Sequence, residues 1–433
     1  MFAGVTACAA SCCATCACQA CQCTSVAIAK TSARIAYCTL FFLSMLLAWL
    51  LRDFAKPMLE KIPWIVRGYI DANVSGSTWF GLQAVYRVSF GNFAFFFLLC
   101  IMMIGVTDRR DNRDKWIHHG SWQLKFLVWI IFMILPFLLP NDVLEGYAWT
   151  ARFGSGIFLV LQMVILLDFA DAWNQSWISK ESENWLYALL AVTVFCYSLS
   201  ISLIALMFYW FKPEGAGSCG LNVFFIVSTL ILSVLFSGIS VHPEVQRGSL
   251  MPSSVVTLYV TYLCYAALAS LPEDDKCNGL SQDETALSNT SLALGMMITM
   301  VSVVYSALRA GSNSKFLSAS DEDEEYTEVP KATAAGPFES EEQQDMERNG
   351  DAGEDSGPKP VSYNYSMFHL IFALASMYIA MLMTGWGSDE QEKDRIDIGW
   401  TSVWVKMCSL WMTAAIYMWT LLAPCLFPDR DFS

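Results

Sequence analysis

Charge is scarce in this chain. Asp, Glu, Lys and Arg make up 15% of its 433 residues, where soluble domains carry about 25%, so a water-exposed globular surface is excluded for most of its length. Histidine is scarcer still, with His118, His119, His242 and His369 alone. None has an Asp five residues on, as an acyltransferase of the His-x4-Asp type requires, and none forms His-Glu-x-x-His. A basic face is also missing, which leaves nothing to neutralise phosphates of nucleic acid. No positively charged region opens the chain, so a cleaved signal peptide is not expected and the first apolar run reads as a retained helix.

What is present is hydrophobic. Apolar residues account for 55% of the chain and aromatics for 14%. The formal net charge of −14 is concentrated in one stretch, since Ser318 to Pro360 holds fourteen Asp or Glu against Lys331, Arg348 and Lys359. A bilayer core about 30 Å thick needs roughly 20 apolar residues in a helix. By that ruler spans run Ile35–Leu51, Phe90–Val106, Trp122–Leu139, Trp185–Phe211, Val223–Val241, Val255–Leu271, Leu292–Leu308, Met367–Met383 and Val403–Leu422. A tenth, Phe153–Leu167, is short and contains Gly154 and Gly156, but helical character continues from Asp142 through Trp177 without an internal proline. A helix of that length crosses the membrane tilted, with polar ends outside.

Ten spans place both termini on one side. The cluster Arg109, Arg110, Arg113 and Lys115 favours the cytosol for its loop and hence for the termini. The expected organisation is a Cys- and Ala-rich cytosolic or interfacial N-terminus (1–34), eight membrane helices (35–309), an acidic disordered cytosolic loop (310–362), and two last helices with a short C-terminus (363–433). This is an all-α polytopic membrane protein, in the plasma membrane or an endomembrane such as ER or Golgi.

Five blocks carry a resemblance. They are Ala84-Val85-Tyr86-Arg87-Val88-Ser89-Phe90, Leu166-Leu167-Asp168-Phe169-Ala170-Asp171-Ala172-Trp173-Asn174, Ser253-Ser254-Val255-Val256-Thr257-Leu258-Tyr259, Tyr365-Ser366-Met367-Phe368-His369, and the ending from Val403-Trp404-Val405-Lys406 through Trp419-Thr420-Leu421-Leu422-Ala423-Pro424 to Arg430-Asp431-Phe432-Ser433. In this order they are similar to motifs of the Serinc family, the serine incorporators. The resemblance implies ten membrane helices in two helical subdomains separated by a long diagonal helix, here Asp142–Trp177. It also implies a role in phosphatidylserine and sphingolipids and in moving phospholipids between leaflets.

The residues show no catalytic apparatus, and no metal or cofactor is expected. Asp168 and Asp171, at i, i+3, are the nearest approach to a metal motif, without the further carboxylates and the Gly and Arg pattern of a phosphatidyltransferase. They read instead as membrane-edge residues. Lys125 lies at similar depth on the preceding helix, so Lys125 and Asp168 form either a helix-locking salt bridge or part of a hydrated furrow for headgroups. Asn174, Lys406 and Arg87 complete the furrow candidates, although Lys406 and Arg87 also suit simple snorkelling to lipid phosphates. Cys12, Cys13, Cys16, Cys18, Cys21 and Cys23 have zinc-like spacings but lie in Ala and Ser beside a membrane helix, which suits palmitoylation or an interfacial helix. Cys219 and Cys277 fall in lumenal loops where a disulfide can form. Asn73 is a lumenal glycosylation site, whereas Asn174 and Asn364 are expected to be cytosolic and unmodified. Ser318 and Ser320 precede acidic residues at spacings an acidophilic kinase can use.

The expected function is non-enzymatic lipid handling, by scrambling phospholipids or supplying serine to phosphatidylserine and sphingolipids, with membrane lipids and lipid-synthesis enzymes as partners. The alternatives are a secondary transporter with a midplane site and a scaffold for lipid enzymes.

Overall fold

The computed structural model describes residues 33–71, 78–180, 182–213, 219–243, 245, 248–272, 275–279, 361, 364–387 and 398–426. These residues are predominantly helical, with no β-strand among them. A chain in hydrocarbon satisfies its backbone within helices, and these sequences are apolar enough to do so. The membrane helices are α1 (Ala33–Phe54), α4 (Thr78–Met102), α5 (Trp122–Ile134, extended by a 3₁₀ turn Leu135–Leu138), α6 (Asn141–Ile178), α7 (Glu183–Phe211), α8 (Gly220–Ser240), α9 (Leu250–Leu268), α10 (Tyr365–Met383) and α11 (Trp400–Leu426). Two short helices, α2 (Lys56–Leu59) and α3 (Pro63–Asp71), link α1 to α4. Eight of the nine are long and apolar enough to span a bilayer, and α5 with its 3₁₀ turn is the shorter ninth. The expected span Leu292–Leu308, the acidic stretch, the N-terminal cysteines, Asn73, Ser318 and Ser320 lie outside the described residues.

Two hydrophobic cores divide the molecule. The first draws on α1, α4, α5 and α10, rich in Phe and Tyr. The second draws on α7, α8, α9 and α11. Helix α6 serves both. Leu144, Tyr147, Ala151, Phe158 and Met163 join the first core, while Leu167 packs on the second. Its 38 residues reach about 57 Å at 1.5 Å per residue, the long divider expected between Asp142 and Trp177.

Local sequence explains the joints. Pro140 precedes α6 and Asp142 sits in its first turn, both favourable at a helix start. Asn364 caps α10 by accepting the Met367 N–H at 3.1 Å. Two glycines of α4 allow close helix approach, because a Cβ on Gly81 would meet the Arg52 carbonyl and one on Gly91 the Phe132 carbonyl. Contacts such as His118 with Tyr365, Ser249 with Asn174 and Ser253 with Tyr417 place the starts of α1, α5, α7, α9 and α10 at one end of the bundle with the finishes of α4, α6, α8 and α11, the proximal end. The opposite end is the distal end.

Candidate functional site

The six furrow candidates fall into separate places. Arg87 does not snorkel from a span edge. It lies within α4, which begins twelve residues earlier than the apolar run alone suggests, and is fully buried. Its Nη1 donates to the Gln83 carbonyl at 3.1 Å and to Gln83 Oε1 at 2.7 Å, and its Nη2 donates to Asn141 Oδ1 at 2.6 Å. Asn141 Nδ2 in turn donates to the Trp64 carbonyl at 3.0 Å. Neutral acceptors therefore hold this cation and tie α3, α4 and α6 together at the distal end.

Lys125 shares the proximal end with Asp168, but the expected pair does not form. The ammonium donates to the His118 carbonyl at 2.7 Å and lies 3.8 Å from the Trp122 ring centre and 5.1 Å from that of Tyr37. The reason is positional: Ser121 takes a left-handed turn (φ 54°) that brings the preceding segment back over the start of α5. Lys125 thus belongs to the first core, whereas Asp168 lies on α6 beyond it, half-buried.

The last third of α6 faces the second core. Asn174 is buried and accepts from Ser249 Oγ at 3.1 Å, while Asp171 is exposed and accepts from Gln175 Nε2 at 2.8 Å. Beside them Ser253 of α9 bonds Ser240 of α8 and, at 2.7 Å, the Tyr417 hydroxyl of α11. At the distal end Lys406 donates to Ser270 Oγ at 2.6 Å and to the Ala266 carbonyl at 3.2 Å.

Between these ends run three stripes of hydroxyls at four-residue spacing: Thr229, Ser233 and Ser237 on α8; Ser253, Thr257 and Thr261 on α9; Ser409, Thr413 and Tyr417 on α11. Four-residue spacing puts each stripe on one helix face, and α9 packs against both α8 and α11. Many of the hydroxyl protons return to the carbonyl four residues back, as in Ser233, Thr261 and Thr413 at 2.8, 2.7 and 2.8 Å. Thr257 Oγ1 is buried with no hydrogen-bond partner, whereas Ser237 Oγ meets the Tyr197 hydroxyl of α7 at 2.8 Å. Sequence reasoning keyed on charge and missed this seam. The i, i+4 recurrence of Ser and Thr within apolar spans was the available signal.

Cys219 and Cys277 are joined by a disulfide that fastens the start of α8 to the segment after α9. Asn222 reinforces the join by donating to the carbonyls of Phe211 and Cys277, each at 3.3 Å. In the first core, Ser44, Ser89, Asn92 and Ser376 line a cavity of about 20 Å³ near the middle of α1, α4 and α10, room for about one water molecule. No cluster of three or more His, Cys, Asp or Glu suited to a metal occurs among the described residues.

The comparisons agree with this architecture. Residues 10–430 match the family described as Serine incorporator (Serinc). The chain is 34% identical to a "Probable serine incorporator" of Nematostella vectensis, covering 93% of this chain and 92% of that protein. It is 33% identical to "Serine incorporator 3" of Bos taurus over 93% of each, and 29% identical to "Membrane protein PB1A10.07c" of Schizosaccharomyces pombe over 93% and 91%. With its motifs, nine described membrane helices and two cores divided by one long helix, the chain belongs to the serine incorporator family of multi-pass membrane proteins.

Proposed function

We propose that this protein handles lipids without catalysing a reaction, moving phospholipid headgroups between leaflets along the seam of α8, α9 and α11. One observation carries the reading. The second bundle, otherwise apolar, contains hydroxyl stripes that connect the Lys406 end to the end holding Asp171, Asn174 and Tyr417. Polar groups at membrane depth are costly and mark transport paths. Here the seam is packed shut, with Thr229, Ser253, Thr261 and Thr413 all fully buried. Transfer therefore requires α11 to part from α9, which exposes hydroxyls to a headgroup while acyl tails stay in lipid. Lys406 suits a phosphate at one end, and Asp171 an ammonium at the other.

Movement of serine-bearing lipid is the link to serine incorporation, with phosphatidylserine, sphingolipids and their synthetic enzymes as partners in the plasma membrane, ER or Golgi. The termini and the proximal end face the cytosol in this reading, and the disulfide faces the lumen. A solute transporter finds less support, because the midplane cavity of the first bundle admits a water molecule and not an amino acid.

The test is reconstitution in liposomes with labelled lipid in both leaflets. Thr257→Val, Thr261→Val and Thr413→Val together keep side-chain shape and remove the hydroxyls. Transfer should fall at least about tenfold (about 1.4 kcal/mol on the barrier) with the protein still monodisperse. Wild-type transfer by the triple variant would refute the seam.

A further inference from the structure

A second group of ionisable residues stands apart from the seam, at the proximal end of the first bundle. It is built on a single π-helical turn, Asp114–His119, between α4 and α5. Such turns are rare and concentrate at functional positions. His118 of this turn is fully buried, as is His369 of α10. Their rings meet, with His369 Nε2 3.4 Å from His118 Nδ1. The other nitrogen of His369, Nδ1, is buried with no partner. Tyr365 stacks on the His118 ring at 3.9 Å between centres, and Tyr37 meets the His369 ring edge-on at 4.6 Å. The turn is held from both sides, by Tyr37 Oη donating to the His118 carbonyl at 3.2 Å and by Lys125 donating to the same carbonyl.

The charges around this pair are unbalanced. Arg34 of α1 and Lys125 of α5 both act on His118 as cations. The nearby carboxylate, Asp114, is engaged by His119 Nδ1 at 2.8 Å and by the Tyr365 hydroxyl. One hydrogen suffices for two neutral imidazoles in contact, one donating and the other accepting. A further proton would place a second cation beside Lys125 in a site that water does not reach.

We propose that His118 and His369 form a proton-binding site that latches the π-turn onto α10 when neutral and releases it when either ring takes up a proton. Burial, then the neighbouring His369, His119, Lys125 and Arg34, already push the His118 imidazole well below the usual histidine range. A base lowered in the closed state binds protons better in the open one. The closed state is therefore fully favoured above the ordinary histidine value of about 6.5 and loses ground as pH falls below it. His119 is engaged by Asp114 rather than by the ring of His369.

Hydrogen exchange of the full-length protein in detergent, corrected for the intrinsic pH dependence of exchange, reads the opening of residues 114–120. Lowering pH from 7.5 to 5.5 should increase the open fraction about tenfold, the limit for one proton over the unit below 6.5. His119→Gln should preserve the change. Replacing both rings, His118→Phe with His369→Phe, which suits the aromatic surroundings, should flatten it to less than about twofold, whereas His369→Phe alone leaves the buried His118 ring and part of the change. A wild-type open fraction that stays constant between the two pH values overturns the latch. So does a full tenfold change that survives in the variant lacking both rings.

Discussion

The two bundles solve the same problem in different ways. The first is bound by aromatic rings, by close backbone contacts at Gly81 and Gly91, and by cations held on neutral acceptors, as at Arg87 and Lys125. The second is bound by hydroxyls that lend their protons to their own helices, by aliphatics among fewer rings such as Phe225, Phe236 and Tyr417, and by one covalent clasp. Interlocked aromatics and glycines admit one arrangement of helices. A seam of back-bonded hydroxyls loses few hydrogen bonds when its helices part, because the intrahelical bonds persist. The contrast supports placing the proposed opening in the second bundle rather than the first.

The severest way to test that contrast is Gly91→Leu. Its side chain would strike the Phe132 carbonyl and force α4 from α5, and a cost above about 4 kcal/mol should remove monodisperse protein from size-exclusion profiles. Next comes the clasp. Cys219→Ser with Cys277→Ser should cost about 2–4 kcal/mol, read as a lowered melting temperature with the first bundle's exchange protection unchanged. Tyr417→Phe removes the hydroxyl shared with Ser253 and should cost only about 1 kcal/mol, while slowing lipid transfer several-fold in the liposome assay. Smallest is Gly238→Ala on α8, where a Cβ meets nothing within 4 Å. It should be neutral or stabilising by up to about 1 kcal/mol in the same melting measurement. A large loss there, or a mild Gly91→Leu, would reverse the assignment.

Much of this fold was legible in the chain because apolar length is a local property. Most span limits, though not the start of α4, and the 38-residue reach of α6 across the weakly hydropathic Gly154–Gly156 region follow from residues near one another in sequence. The charged side chains were less legible. That Lys125 turns back seven residues to His118, rather than across to Asp168, depends on the left-handed Ser121 and the π-turn before it. Arg87 looked like an edge residue because hydropathy starts the span at Phe90, whereas burial against Gln83 and Asn141 extends the helix to Thr78. The hydroxyl seam escaped because Ser and Thr are ordinary within membrane helices, and only the meeting of three stripes makes them unusual.

Helix α6 runs from the first core to the second without an internal proline. A straight rod gripped firmly near one end and loosely near the other behaves as a cantilever. A displacement of the start of α9, bonded to α6 at Asn174, would be carried along the rod as torque to Tyr147 and Asn141, where the Arg87 lock holds the root. In the proposed opening, that distal lock would oppose movement begun at the proximal end of α6.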